Sequence, residues 1–211
     1  YPDMERFFPK DKIVLTGNPI RPAIEHLKAE RREALEHFGL PQDTERVVVV
    51  VGGSLGARSI NESIASRLKD WADSGVALIW QTGVAFEEKA RELLAGYHFP
   101  VYSSAFIQRM DLAYTIADVV VSRAGASAIS ELCLLGKPTI LVPSPNVAED
   151  HQTKNAMALV NKGAALLVKD VEAPETLLQL AVKTVTDEQK LADLSENVKR
   201  MGLHDSADVI A

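Results

Sequence analysis

The stretch Val47-Val48-Val49-Val50-Val51-Gly52-Gly53-Ser54-Leu55-Gly56-Ala57-Arg58-Ser59 joins an aliphatic run to a glycine-rich turn, and an amphipathic segment follows it. Five consecutive valines offer water no polar face, so the run reads as a strand buried on both sides, as in a parallel sheet. The glycines after it permit positive φ and let backbone N–H groups come close to a ligand. A helix starting just beyond them favours negative charge, which makes this turn a candidate phosphate site. The spacing is neither a Walker A loop, which ends in Lys-Ser/Thr, nor the G-x-G-x-x-G of a dinucleotide fingerprint. A tight turn that needs glycine for packing alone is the alternative.

On both sides of this turn, short β-branched runs alternate with amphipathic stretches, the pattern of a doubly wound α/β fold. The expected strands are Ile13–Thr16, Val47–Val51, Ala77–Gln81, Val101–Ser104, Val119–Ser122, Thr139–Val142 and Ala165–Val168. A helix is expected from Pro22, with Ile24, Leu27, Leu35 and Phe38 on one face and Gly39 ending it. Further helices are expected at Ser59–Trp71, Ala85–Leu94, Leu112–Ile116, Ser127–Leu135, Asp150–Lys162, Pro174–Thr184 and Glu188–Met201. Residues 1–12, with Pro2, Pro9 and the pair Phe7 and Phe8, break the rhythm and read as a linker or the remnant of a preceding domain. Residues 13–211 then form one Rossmann-like domain.

A chain of 211 residues with 46% hydrophobic content suits one well-buried core. The net charge of -6, with its charges well mixed, argues against a nucleic-acid partner, which needs a dense excess of Lys and Arg. Cys133 is the only cysteine, so no intrachain disulfide can form. The run Val47–Val51 is far shorter than the roughly 20 apolar residues of a membrane helix. The chain opens at Tyr1 and stops at Ala211 in a helix-like stretch, and the expectation is a piece of a longer protein.

Ligands of such sheets bind beyond the carboxyl ends of the strands, so the strand-to-helix turns carry the functional signal. Ser122-Arg123-Ala124-Gly125-Ala126-Ser127-Ala128-Ile129-Ser130-Glu131 is a second small-residue turn. Glu131, about one helical turn in, is suited to accept hydrogen bonds from two vicinal hydroxyls such as those of ribose. Its other reading is a capping or helix-dipole residue. In Glu149-Asp150-His151-Gln152-Thr153-Lys154-Asn155, His151 and Gln152 offer mixed donors and acceptors for sugar hydroxyls, or else a solvated helix start. Neither has a second His or Cys at a metal-ligand spacing, so no metal is expected. In Thr16-Gly17-Asn18-Pro19-Ile20-Arg21-Pro22, the Asn-Pro step fixes an extended backbone that displays Arg21, either to stack on or bond to a base or simply to meet solvent.

Gly17-Asn18-Pro19-Ile20-Arg21, Gly52 to Arg58, Phe106-Ile107 with Met110, Ser122 to Ala126 with Glu131, and Asp150 to Ala156 occur in one order. In that order the chain resembles the C-terminal domain of the MurG family of glycosyltransferases, over nearly its whole length. The resemblance implies the C-terminal half of a GT-B fold that binds UDP-N-acetylglucosamine. A missing N-terminal half would bind an undecaprenyl-linked N-acetylmuramoyl-pentapeptide, and the parent would work peripherally at the cytoplasmic face of the bacterial inner membrane. By the same resemblance, Phe106 and Ile107 meet uracil through their backbone with Arg21 beside the base. Ser54 and the backbone of Gly53 and Ala126 meet the diphosphate, Glu131 the ribose, and His151 and Gln152 the N-acetylglucosamine. Many members carry Thr where this chain has Ala128, which leaves Ser127 or Ser130 as the nearest substitute hydroxyl. No residue here is a convincing general base, no cofactor is implied, and the fragment alone is expected to be inactive. A UDP-N-acetylglucosamine 2-epimerase, a non-catalytic nucleotide-binding module and a natural half-enzyme are the competing readings.

Overall fold

The computed structural model describes residues 9–13, 16–53, 56–147, 150–203, 206 and 210. The valine run forms β1 (Val47–Val51) at the heart of a six-stranded parallel sheet. It pairs in register with β2 (Ala77–Gln81) on one side and β4 (Val119–Ser122) on the other. With β3 (Val101–Ser104), β5 (Thr139–Leu141) and β6 (Leu166–Leu167), the order is β3-β2-β1-β4-β5-β6. The two-residue period of a strand explains the valines. Val48 and Val50 face one core, with Ile60, Ile64, Leu68 and Trp71, while Val47 and Val49 face another, with Leu35, Ile79 and Ile116. Burial on both faces therefore requires an uninterrupted apolar run.

Helices cover both faces. On the first lie α3 (Arg58–Ala65), α4 (Leu68–Asp73), α5 (Val84–Leu94) and α9 (Ala173–Val185). On the second lie α1 (Pro22–Glu25), α2 (Arg31–His37) and α6 (Met110–Ile116). The helices α7 (Ala126–Leu135), α8 (His151–Val160) and α10 (Glu188–Lys199) meet in a third apolar cluster with Cys133, Ala156 and Val198. Among the described residues no helix is long and apolar enough to cross a membrane. The strand order reverses between β1 and β4, which opens a crevice at their carboxyl ends.

The expected strands from Val47 to Ser122 fall where the sequence puts them, whereas β5 and β6 are shorter than expected. The strand expected at Ile13–Thr16 includes residues 14 and 15, and the segment 1–12 includes residues 1–8, all outside the described residues. Two helices differ. The one expected to run from Pro22 to Gly39 is split, because His26 leaves helical geometry after a single turn and α2 begins at Arg31. Its end is as expected: Gly39 takes φ 63°, and the Leu40 N–H donates back to the Leu35 carbonyl at 2.9 Å. The helix expected at Ser59–Trp71 breaks at Ser66-Arg67, where the Ser66 hydroxyl donates to the Ser63 carbonyl and Arg67 leaves helical geometry. The break keeps Ile64, Leu68 and Trp71 all packed on the sheet.

Candidate functional site

A cleft of about 550 Å³ lies at the carboxyl ends of the central strands, lined by Gly52, Gly53, Gly56, Ser59, Arg123, Ser144, Gln152 and Asp170 among others. Gly56 shows why the turn after β1 needs glycine: its φ is 77°, and a Cβ there would overlap the Thr82 carbonyl oxygen. Below the turn, Gln81 closes β2 with a buried amide. Its Nε2 donates to the Gly53 carbonyl at 2.8 Å, and its Oε1 accepts from the Ile107 N–H at 3.1 Å. One side chain thus fixes the glycine turn relative to the loop after β3. Asn61 on α3 does similar work, donating to the Thr82 carbonyl and accepting from the Trp80 indole at 2.9 Å.

The helix starts around this edge share an unusual composition. α3, α7 and α8 have no carboxylate in the first turn, the N-cap of α8 being Asp150. Among the described residues, the other seven α-helices each carry an Asp or Glu in the first turn. A helix start concentrates positive partial charge on unpaired N–H groups, and most proteins neutralise it with side chains. Leaving it bare at the three helices that follow β1, β4 and β5 creates a site suited to an anion. Just before α8, Asp150 is the one non-glycine residue with positive φ among those described, at 51°. Left-handed geometry there turns the chain directly into His151 and Gln152.

Arg123 ties the loops of this edge together. Its guanidinium donates to the carbonyls of Val142 at 3.0 Å and Pro143 at 3.2 Å, to the Ser59 hydroxyl at 2.8 Å and to the Asp170 carboxylate. Those partners come from the start of α3, the end of β5 and the turn after β6. Asn155 on α8 adds a bond of 3.1 Å to the Ala124 carbonyl.

The pair expected to read a nucleoside, Arg21 and Glu131, is in direct contact, and neither residue lines the cleft. Arg21 precedes Pro22, the first residue of α1, and its Nε and Nη2 donate to the two oxygens of Glu131 at 3.0 and 3.1 Å. Glu131 is only 8% exposed. It is the sixth residue of α7, past the first turn, so the capping reading of this residue fails. A third donor, the buried Tyr114 hydroxyl on α6, reaches Glu131 Oε2 at 3.1 Å. Burial, reinforced by the Glu131 charge, pushes the Tyr114 phenol well above its usual range, so the hydroxyl stays a proton donor at any physiological pH.

The remaining residues divide. Phe106 is half exposed, and its carbonyl accepts from the Ser104 hydroxyl at 3.0 Å. Ile107 is buried, and its N–H is engaged by Gln81, which leaves its carbonyl as the group to turn toward a base. Gln152 lines the cleft, its Oε1 accepting from the Ser144 N–H at 2.9 Å, whereas His151 is exposed and outside the lining. Ala126 borders a second cavity of about 470 Å³ together with Asn18, Ser130 and Cys133. Ser130 is committed there, donating to the Ala126 carbonyl and accepting from the Asn18 amide at 2.9 Å, so it is no substitute for the Thr missing at Ala128. Ser54 lies outside the described residues. No group of three or more His, Cys, Asp or Glu among the described residues is placed to hold a metal ion. Sequence reasoning missed Gln81, Tyr114 and Asp170. A polar residue closing an apolar strand is the signal that flags Gln81. Tyr114 on an amphipathic helix looks like any core aromatic.

Fold and site together define a Rossmann-like domain of the GT-B glycosyltransferase type. The family model of the glycosyltransferase family 28 C-terminal domain matches residues 47–210, and the chain belongs to this family. Over 211 residues it is 56% identical to the UDP-N-acetylglucosamine--N-acetylmuramyl-(pentapeptide) pyrophosphoryl-undecaprenol N-acetylglucosamine transferase of Porphyromonas gingivalis, covering 100% of this chain and 56% of that protein. The namesake from Parabacteroides distasonis is 53% identical, with 100% and 57% covered. The chain thus spans a little over half the length of these curated relatives. Among solved structures, Acinetobacter baumannii MurG matches with a TM-score of 0.71 and 28% identity, over 89% of this chain and 53% of that one. A UDP-GlcNAc 2-epimerase from Neisseria meningitidis, with TM-score 0.65 and 18% identity over 98% of this chain and 56% of that one, shares the fold alone.

Proposed function

We propose that this chain is the donor-binding half of an inverting glycosyltransferase. The whole enzyme would transfer N-acetylglucosamine from UDP-N-acetylglucosamine to undecaprenyl-linked N-acetylmuramoyl-pentapeptide during peptidoglycan synthesis. Residues 13–211 form the donor domain and residues 1–12 the link to an N-terminal acceptor domain. The parent works peripherally at the cytoplasmic face of the bacterial inner membrane, where such an acceptor is found.

The observation that carries this reading is the absence of first-turn carboxylates at the helices that follow β1, β4 and β5, with residues of α3 and α8 lining the cleft itself. As the acceptor hydroxyl attacks the anomeric carbon, UDP leaves and negative charge grows on its phosphate oxygens. Fixed N–H groups at helix starts stabilise that charge without reorganising. Glu131 receives the ribose hydroxyls, the loop of Phe106 and Ile107 the uracil, and Gln152 with His151 the sugar. The acidic residues that line the cleft, Glu62 and Asp170, are both held by arginines. They are poorly placed to move a proton at the sugar C2, which counts against an epimerase.

The test is transfer of labelled N-acetylglucosamine by the full-length protein to the lipid-linked acceptor, with free UDP as the second product. Release of UDP with N-acetylmannosamine formed instead, or no turnover of UDP-N-acetylglucosamine at all, would remove the proposal.

A further inference from the structure

A carboxylate has about four lone-pair sites. Glu131 already receives three donors, two from Arg21 and one from Tyr114. A ribose diol, expected here on the donor-binding reading above, brings two more, and five donors exceed the sites. One partner has to leave, and the two partners are unequal. The Arg21 side chain is 53% exposed and springs from the extended residue just before the one-turn helix α1, so its guanidinium can exchange Glu131 for water at little cost. The Tyr114 hydroxyl is buried on α6, and Glu131 is its acceptor. Leaving that group unpaired would carry its full desolvation penalty.

We infer that Tyr114 is a positioning residue: its hydroxyl keeps the Glu131 carboxylate aimed while a ribose diol takes over the sites held by Arg21. Arg21 is then a displaceable occupant, released toward the base or the diphosphate when the nucleotide binds. The diol gains a carboxylate whose orientation is already fixed, and the protein never holds that carboxylate buried and unpaired.

The test compares UDP with 2′,3′-dideoxy-UDP on the full-length protein and on Tyr114→Phe. In the parent protein UDP binds more tightly than the dideoxy analogue. Tyr114→Phe is expected to shrink that preference by about three- to tenfold while leaving affinity for the analogue within about twofold. A packing role would weaken both ligands alike or leave the preference untouched, and either result overturns the inference. The Arg21 Nε–H resonance, assigned with Arg21→Lys, gives a second reading that needs no Tyr114 variant. It is expected to shift on saturation with UDP and to stay in place with the dideoxy analogue. An equal response to both ligands, or none to saturating UDP, also overturns the inference. Failure of the parent protein to bind UDP at all would instead bring down the donor-binding reading, and the inference with it.

Discussion

Replacing Glu131 separates binding from stability, because the structure gives this residue buried partners as well as an expected ligand. Glu131→Leu strands the Tyr114 hydroxyl, which has Glu131 as its acceptor in a buried setting. An unsatisfied buried hydroxyl costs about 1–3 kcal/mol, while the half-exposed Arg21 returns to water almost freely. The single variant should therefore lose about 1–3 kcal/mol of stability. Hydrogen bonds to a charged group contribute roughly 1.5–3 kcal/mol, so UDP affinity should fall about ten- to a hundredfold. The double variant Glu131→Leu with Tyr114→Phe replaces both partners by apolar groups, which is often close to neutral. It should regain most of the lost stability and none of the lost affinity. Chemical denaturation and UDP titration on the same three proteins read both quantities. If affinity returned together with stability in the double variant, Glu131 would be a structural residue and its ribose role would be refuted.

Other outcomes follow from single contacts. Gly56→Ala places a Cβ against the Thr82 carbonyl at φ 77°, so it should destabilise the protein by more than about 1 kcal/mol and abolish UDP binding, as denaturation and titration will show. Arg123→Ala leaves the Asp170 carboxylate largely buried without its cation and should cost about 3 kcal/mol, whereas Arg123→Ala with Asp170→Asn should recover part of that loss. In the full-length enzyme Gln152→Ala should raise KM for UDP-N-acetylglucosamine and leave inhibition by UDP nearly unchanged, since Gln152 borders the cleft on α8, apart from the Arg21–Glu131 pair. The Arg109 guanidinium holds the Asp111 carboxyl below its ordinary value of 3.8. Its contribution to stability is thus present above that value and lost as pH falls through the lower folded-state value. Asp111→Asn should flatten the acid limb of a stability-against-pH curve there.

Much of this was legible in the sequence, for reasons that can be named. A valine run buried on both faces has one economical solution, the middle of a parallel sheet, and Val47–Val51 occupies it. The glycines after it admit either a phosphate turn or a turn that needs glycine for packing alone, and the approach of Gly56 to the Thr82 carbonyl shows the packing need. Helix breaks were not legible. His26 and Ser66 end helices whose apolar spacing continues past them, because docking on the sheet decides the path and local propensity does not. The partners of Glu131 were equally hidden. Arg21 lies 110 residues away from it in sequence, and only the fold brings them together. Bare first turns at α3, α7 and α8 were present in the sequence as an absence of acidic residues, a signal that becomes visible once the helix starts are fixed.

On the proposed function, the carboxyl edge of this sheet receives a uridine diphosphate sugar. Calorimetric titration of the full-length protein with UDP-N-acetylglucosamine, UDP, ADP and GDP tests it most directly. One site should bind both uridine ligands and discriminate against ADP and GDP by at least about tenfold, with Glu131→Leu removing most of the UDP signal. Equal affinity for all three nucleoside diphosphates, or uridine binding indifferent to Glu131, would contradict it.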